Sequence, residues 1–432
     1  MVGTALEGNR AGAQEQVCAE LCAVLFGSLP RSDQRRRGAE YLHGLLAASG
    51  RKSIRKIAAA VGGRATEQNL HHFIVSSTWD WSPVRQALTR YLVGTLERTS
   101  PKAWTARPIL IPKTGERSPG VGPRYVPEVG QTVNAQQAVG VWMVSEGQSF
   151  PVNWRLRVPR PHAGAAAERS SEASPGGPVD EALGAFAVEA VLEVAEDQAL
   201  PRLPLVLDVT GFDAAPVLRR LRATGTPFLV RIDPGLPLVA APAGAYAEAR
   251  PAERLLGGSR ELRRPVVWTE QHPGTPPRRH LVAGTAVRTA ERGRAAAAAP
   301  SADLLLLGTG PIGTGWPGEY WLTDRTDLPP LALVRLSRLI RPLRQDLDAI
   351  TEQAGICDFA GRSYNGWHRH ATLASAAHAV NALSAAPIAA PRKEIWQVGD
   401  AAGPKPADTA ERLVTPVFHR PRVGVGSSRA RT

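Results

Sequence analysis

An alternation of strand, helix and strand between residues 203 and 232 constrains the fold more than any other feature of the sequence. Apolar residues fill the stretch from Leu203 to Asp208, a helical pattern follows from Val217 to Ala223, and a second apolar run extends from Phe228 to Ile232. A short strand–helix–strand unit of this kind implies parallel strands in an α/β fold. Asp208 stands at the carboxyl end of its strand, where such folds place ligands.

The residues before this unit divide into a helical part and a sheet. Residues 16–100 follow helical periodicity in several short segments, and Pro101 marks a boundary. Ile109 to Ile111 predicts a short buried strand, and residues 132–144 and 149–158 alternate around Glu146-Gly147 like a hairpin. Residues 1–100 are therefore expected to form a helical domain, and residues 101–232 the first part of an α/β core.

The remaining segments are assigned by their composition and apolar periodicity. Residues 162–180 indicate a flexible connection, a helix is predicted over 181–198, and residues 233–317 indicate an insertion rich in Pro, Gly and Arg. Residues 318–387 return to the core, with one helix from Leu331 to Ile350 kinked at Pro342 and another from Ala371 to Leu383. The basic tail, residues 388–432, is predicted to be mobile.

The overall charge favours a polyanionic partner. Lys and Arg number 52 against 39 Asp and Glu, which gives a formal net charge of +13. A coding bias towards Arg and Ala explains the same excess, so the charge needs support from its placement. The first thirty residues contain neither a signal peptide nor an apolar span, and we expect a cytoplasmic protein. The three cysteines, including Cys18 and Cys22, are interpreted as buried apolar residues rather than a metal site or a disulfide.

Three long segments carry a resemblance to a known family. They are RRRGAEYLHGLLAASGRKSIRKI with NLHHFIVSSTWDWSPVRQALTRYLV, then KTGERSPGVGPRYVPEVGQTVNAQQAVGVWMVSEGQSFPVNWRLRVP, and finally YWLTDRTDLPPLALVRLSRLIRPLRQDLDAITEQAGICDFAGRSYNGWHRHATL. In this order they resemble a bacterial insertion-sequence transposase family of the DDE type, over roughly half to two thirds of the chain. The resemblance implies an RNase H-like α/β core, an N-terminal helical DNA-binding domain, double-stranded DNA as partner, and a possible homodimer.

The family's chemistry depends on three carboxylates that hold two Mg²⁺ ions. The resemblance places the first carboxylate at Pro112, with Lys113 beside it, the second at Asp208, and the third at Arg344. Asp208 is thus the surviving carboxylate and a weak metal ligand, and Asp348, one helical turn after Arg344, is a candidate replacement. We therefore expect defective cleavage, with Mg²⁺ required only if activity remains.

Further side chains are candidates for DNA contact, because the stretch from Arg31 to Arg64 is strongly basic and the late Gly-Arg-Ser segment belongs to the resemblance. The solvated face of a helix is the alternative interpretation of such a stretch. The candidate residues are Arg35, Arg36, Arg37, Arg51, Lys52, Arg55, Lys56, Arg362, His368 and Arg369.

Three hypotheses about function remain open at this stage. The first is a DNA-binding transposase-like protein with a degenerate site, and the second is an active transposase that uses Asp208 with Asp348. The third is a transposase-derived fold recruited for different chemistry, for example in small-molecule biosynthesis, with Asn134, Gln136 and His368 near the old site. Trp79, Trp81, Trp142 and Trp154 are predicted to be core residues rather than base-stacking platforms.

Overall fold

Strands and helices cover most of the chain in the computed structural model. It describes residues 2–63, 65–96, 102–126, 130–158, 178–241, 248–257, 263–269, 278–290, 303–311, 315–385 and 395–398. The described residues belong to the unit Met1–Gly399. The predicted flexible connection lies outside them, apart from residues 178–180, which begin a helix.

The N-terminal region is helical, as its periodicity predicts. Its helices are Val2–Phe26 (the first helix), Ser32–Ala47 (the second helix), Ile54–Val61, Glu67–His71, a π-helical turn His72–Ser76, and Trp81–Thr95. Side chains cap three of these helices, since Ser53, Thr66 and Asp80 each accept a hydrogen bond from a backbone N–H in the first turn.

A meander of antiparallel strands follows. Its strands are β1 (Lys102–Pro112), β2 (Val121–Val126), β3 (Gln131–Ser145) and β4 (Gln148–Leu156). β3 pairs with β1 on one side and with both β2 and β4 on the other. The predicted hairpin is confirmed, with Gly147 at its turn in the left-handed region at φ 84°.

The strand–helix–strand unit is also confirmed. After the helix Pro178–Ala195, β5 (Leu205–Asp208), the helix Ala214–Thr224 and β6 (Phe228–Ile232) follow in sequence. β5 lies parallel to both β1 and β6. The strand order β4-β3-β1-β5-β6, with parallel β1, β5 and β6, gives the RNase H-like α/β core that the sequence predicted.

The predicted insertion extends this same sheet. Its strands are β7 (Pro237–Ala240), β8 (Arg250–Pro251), β9 (Arg264–Thr269), β10 (Arg278–Thr289) and β11 (Leu304–Pro311), with a short helix Ala252–Gly257. β12 (Glu319–Thr323) then pairs antiparallel with β6. The described strands thus form one 13-stranded sheet, in which β12 connects the insertion to the core.

Two predictions for the C-terminal third are wrong. Pro342 does not kink one helix but separates two, Pro330–Arg338 and Leu343–Glu352, and serves as the N-cap of the second. Of the tail that was predicted to be mobile, residues 395–398 form β13 (Ile395–Val398), which pairs with β9 at the edge of the sheet, so the prediction is wrong for these four residues. The rest of that tail lies outside the described residues.

The helix Tyr364–Ala385, called the late helix below, joins the two halves of the protein. It packs against β4 of the sheet and against the first and second helices and Trp81–Thr95. Trp79, Trp142 and Trp154 are buried around it, as predicted, whereas Trp81 is only partly buried. None of the helices in the described part of the chain combines the length and apolar composition that crossing a membrane requires.

Candidate functional site

Asp208, the carboxylate expected to survive from a metal site, is held by its neighbours. Its Oδ1 accepts hydrogen bonds from the backbone N–H of Thr210 at 3.1 Å and from the Thr210 hydroxyl at 2.7 Å. Its Oδ2 forms an ion pair with Nη1 of Arg231 at 3.1 Å. Both carboxylate oxygens therefore already have partners, and one of those partners carries a full positive charge.

The register of the sheet decides which residues stand beside Asp208. Asp208 pairs with Arg231 of β6, and Leu205 pairs with Trp104 of β1. Paired residues of neighbouring strands point to the same face, so Asp208 and Arg231 lie side by side on one face of the sheet. The register thus places a guanidinium group directly beside the carboxylate.

Pro112, where the sequence placed the first carboxylate, is the last residue of β1, and Lys113 begins the loop that follows. The proline side chain has no oxygen that could bind a cation. Within the described residues, no hydrogen bond or ion pair joins Lys113 to Asp208. Sequence reasoning missed Arg231, because its place beside Asp208 depends on the register between β5 and β6.

Lys113 belongs to a separate, mostly basic depression. Its Nζ donates hydrogen bonds to the carbonyl oxygens of Cys357 at 3.1 Å and Phe359 at 2.7 Å. Burial lowers the pKa of Lys113, and Arg51 lowers it further. The depression has a volume of about 700 Å³, and its charged lining residues are Arg51, Lys113, Glu116, Arg117, Asp358 and Arg362.

A second depression of about 510 Å³ adjoins the first and shares Arg51 and Asp358 with it. Arg55 and His71 from the N-terminal helices line it on one side, and the segment 358–361 on the other. Asp358 joins the two sides, because its Oδ2 accepts the backbone N–H of Lys52 at 2.7 Å. Together the two depressions form a groove, called the basic cleft below, between the helical region and the core.

Asn134 and Gln136, noted with the recruitment hypothesis, shape the loop beside the basic cleft. Asn134 Nδ2 donates to the carbonyl oxygens of Lys113 at 3.3 Å and Gly115 at 3.1 Å. Gln136 Nε2 donates to the carbonyl oxygen of Pro119 at 2.6 Å. These amides brace the loop between β1 and β2 and hold its backbone against β3.

Arg344 and Asp348, the expected third position and its replacement, lie on the exposed side of the helix Leu343–Glu352. The first turn of this helix is anchored at the turn between β3 and β4, where Asp346 Oδ2 accepts the backbone N–H and the hydroxyl of Ser149 at 2.9 and 2.6 Å. Among the described residues, no hydrogen bond or ion pair joins Arg344 or Asp348 to Asp208.

The candidate DNA-contacting residues fall into two groups. Arg35, Arg36, Arg51, Arg55, Lys56 and Arg362 are exposed, and Arg37 is half-buried and paired with Glu40 at 2.7 Å. For Lys52, His368 and Arg369 the expectation of DNA contact is contradicted, because all three are buried. The guanidinium of Arg369, for example, donates hydrogen bonds to the carbonyl oxygens of Trp79 and Ile74 at 2.9 and 3.1 Å. These donors are therefore used inside the fold and do not face a DNA phosphate.

His368 belongs to a buried polar network that sequence analysis did not find. The guanidinium of Arg85 donates to Thr372 Oγ1 at 2.8 Å, Asn153 Oδ1 at 2.7 Å, and the carbonyl oxygen of Trp154 at 3.0 Å. Its Nη2 lies 3.0 Å from His368 Nδ1. Burial and then Arg85 lower the pKa of His368 to about 2. The ring is neutral and stacks on Trp81 at a centroid distance of 4.8 Å.

A family model described as DDE superfamily endonuclease matches residues 24–294, more than half of the chain. The chain belongs to this family. A curated relative, described as a probable transposase for insertion sequence element IS701 from Microchaete diplosiphon, is 32% identical over 129 residues. The aligned region is 28% of this chain and 32% of the relative, so the chain spans about a third of the length of the curated relative it matches. The match to the DDE family confirms the resemblance found in the sequence.

Proposed function

We propose that this DDE-family protein binds double-stranded DNA and is defective in metal-dependent strand cleavage. The observation that carries the proposal is the ion pair of Asp208 with Arg231, whose Nη1 lies 3.1 Å from the carboxylate oxygen. Enzymes of this kind use divalent metal ions held by several anionic oxygens. A single carboxylate paired with a guanidinium group is a poor ligand set for such ions, because the arginine repels the cations and competes for the carboxylate.

The wider surroundings of Asp208 support the same proposal. The described residues contain no set of three potential metal-ligating side chains that includes Asp208. Asp233, the nearby carboxylate on the loop after β6, accepts the backbone N–H of Gly211 at 2.9 Å and thereby helps to fix that loop. The residues present do not fit a pair of Mg²⁺ ions, and we derive no cleavage step through them.

The basic cleft is the proposed DNA contact. Arg51, Arg55 and Arg362 are exposed along it, and their guanidinium groups are suited to phosphate oxygens. Glu67, Glu116 and Asp358 keep the cleft from being uniformly positive, so binding should depend on the position of the phosphates as well as on total charge. We further propose that the protein acts in the cytoplasm, and that it can act as a homodimer.

The test is an assay for cleavage and binding on DNA that bears the ends of a related element, with Mg²⁺ and Mn²⁺ in parallel. We expect binding without cleavage, both by the natural protein and by Asp208→Ala. If the natural protein cleaves DNA and Asp208→Ala does not, the proposal is contradicted and an active enzyme is favoured. Asp348→Ala would then test the candidate replacement ligand. If neither binding nor cleavage is found, the result would favour the hypothesis of recruitment for different chemistry. The basic cleft at Lys113 would then be the first place to seek a ligand.

A second prediction concerns the cleft itself. Arg51→Ala, Arg55→Ala and Arg362→Ala should each weaken DNA binding, and each should reduce the slope of log Kd against log salt by about 1 if the residue contacts one phosphate. The measurement is a salt titration of affinity by fluorescence anisotropy. Arg220→Ala is the matched control. Arg220 is an exposed arginine on the helix Ala214–Thr224, it forms an ion pair with Glu189, and it is not among the residues that line the cleft. Equal losses in the control and cleft variants would contradict a localised interface.

A further inference from the structure

Two cysteines and a histidine meet between the first and second helices. Cys18 and Cys22 lie one turn apart on the first helix, and His43 projects from the second. The two sulfur atoms and a ring nitrogen all lie within 4.8 Å of one another. Cys18 Sγ is 3.7 Å from His43 Nε2. The sequence interpretation of both cysteines as buried apolar residues is corrected here, since Cys22 is only half-buried and the pair has a histidine beside it.

The histidine is oriented as metal-bound histidines usually are. Its Nδ1 lies 2.8 Å from the carbonyl oxygen of Ala39, one turn earlier on the second helix. A carbonyl oxygen can only accept, so Nδ1 carries a proton and Nε2 is the nitrogen through which a metal would bind. Nε2 is also the nitrogen that faces Cys18. A backbone carbonyl holding the other ring nitrogen is a recurrent support for a metal-ligating histidine.

The distances suit a metal ion better than a disulfide. Tetrahedral zinc, with bonds of about 2.3 Å to sulfur and about 2.0 Å to nitrogen, separates a sulfur from a nitrogen ligand by about 3.6 Å. The Cys18–His43 distance of 3.7 Å is close to that value. Residues four apart on a helix have Cβ atoms about 5–6 Å apart, beyond the usual Cβ separation of a disulfide. A Cys18–Cys22 bridge would therefore distort the helix.

We propose that Cys18, Cys22 and His43 bind a Zn²⁺ ion that ties the first helix to the second, with water in the fourth position. Binding forms two Zn–S bonds and one Zn–N bond, and each thiol releases its proton to solvent. Glu15 stands one turn before Cys18 on the same helix and acts electrostatically on both Cys18 and His43, adding negative charge on the exposed side. This inference is independent of the proposed DNA binding.

The proposed ion sits at a structurally useful place. The first helix packs against the late helix and Trp81–Thr95 as well as against the second helix. Gln14 Nε2 donates to Asn381 Oδ1 of the late helix at 2.9 Å. A zinc ion at Cys18 would add a second attachment of this helix one turn after Gln14, so loss of zinc should loosen the attachment of the N-terminal helices.

The test uses the full chain, purified under reducing conditions with any histidine tag removed, loaded with zinc and then freed of excess by gel filtration. We expect about one tightly bound zinc per chain by elemental analysis, and a thiolate-to-metal charge-transfer band when Co²⁺ replaces Zn²⁺. Cys18→Ser, Cys22→Ser and His43→Asn should each lower zinc affinity at least about tenfold. Cys357→Ser is the matched control, since Cys357 lies outside the cluster and should leave the metal content unchanged.

Loss of the metal must be distinguished from misfolding. Every variant is therefore checked by circular dichroism and by thermal unfolding, with and without zinc. Folded variants whose melting temperature no longer rises with zinc would support the site. A natural chain that retains less than about a tenth of a zinc per molecule after loading would overturn the inference, because a structural site saturates. A Co²⁺ complex without a charge-transfer band would also overturn it, since the ion would then not be bound through sulfur.

Discussion

Replacing Arg85 with alanine should lower the free energy of unfolding by about 3–5 kcal/mol, because it would leave several buried polar groups without their partner. The guanidinium satisfies the Thr372 hydroxyl, the Asn153 amide oxygen and the Trp154 carbonyl, and it lies against the His368 ring. Burial lowers the pKa of Arg85 to about 9 despite the distant attraction of Glu193. The network therefore depends on hydrogen-bond geometry rather than on a direct ion pair.

The measurement is urea unfolding of the natural protein, Arg85→Ala and Arg85→Lys. Lysine retains the charge but cannot reproduce the planar set of donors, so it should recover only part of the stability. Arg90→Ala, an exposed position on the same helix, is the control and should change stability by less than about 0.5 kcal/mol. A loss below about 1 kcal/mol for Arg85→Ala would show that the network is rearranged or hydrated in solution.

Acidification should destabilise the protein through its buried histidines. His370 Nε2 donates to the Gly355 carbonyl at 2.8 Å, which leaves Nδ1 to accept from the Tyr41 hydroxyl at 2.9 Å. Burial lowers the pKa of His370 to about 4, from 6.5 in the unfolded chain, and Lys113 lowers it further while Asp358 opposes the shift. The unfolded state therefore binds the proton first as pH falls.

Because the pKa of His370 is lower in the folded than in the unfolded state, stability falls as pH falls. The stability contributed by neutral His370 is fully present above pH 6.5 and is lost progressively as pH falls towards 4. Between pH 7.5 and pH 5, His370 alone should account for a loss of about 2 kcal/mol. Burial also lowers the pKa of His368 and His378, which adds to the effect in the same direction.

Urea unfolding of the natural protein and of His370→Gln at these two pH values checks the prediction. The variant should be less stable at pH 7.5 but should lose about 2 kcal/mol less on acidification. His72→Gln, at an exposed position, is the control and should retain the natural pH dependence. The same pH dependence in His370→Gln as in the natural protein would mean that other groups govern acid unfolding.

The parts of the fold that depend on local pattern could be predicted from the sequence. The hairpin around Gly147 and the unit from β5 to β6 follow from apolar periodicity and turn residues, which act over a few residues. The errors arise where a distant partner decides the structure. β13 has no strong pattern of its own and is ordered by pairing with β9, more than a hundred residues earlier.

The candidate site was harder to predict for the same reason. Arg231 lies beside Asp208 only through the register between β5 and β6, which the sequence of either strand does not specify. His43 meets Cys18 across 25 residues and two helices. Arg369 was a candidate for DNA contact because it follows the Gly-Arg-Ser segment of the resemblance, but the late helix is buried on all its turns from Gly366 to Val380 and that side chain lies inside.

The late helix has a consequence for how the protein can be divided. Its residues come from the far end of the chain, yet it supplies the surface on which the N-terminal helices are built. Residues 1–100 expressed alone would lack their central support, and the sheet without them would expose a large apolar face to water. We therefore expect the helical region and the core to unfold in a single transition. We also expect them to move on DNA as one rigid unit, and not as a DNA-binding domain joined to the core by a flexible linker.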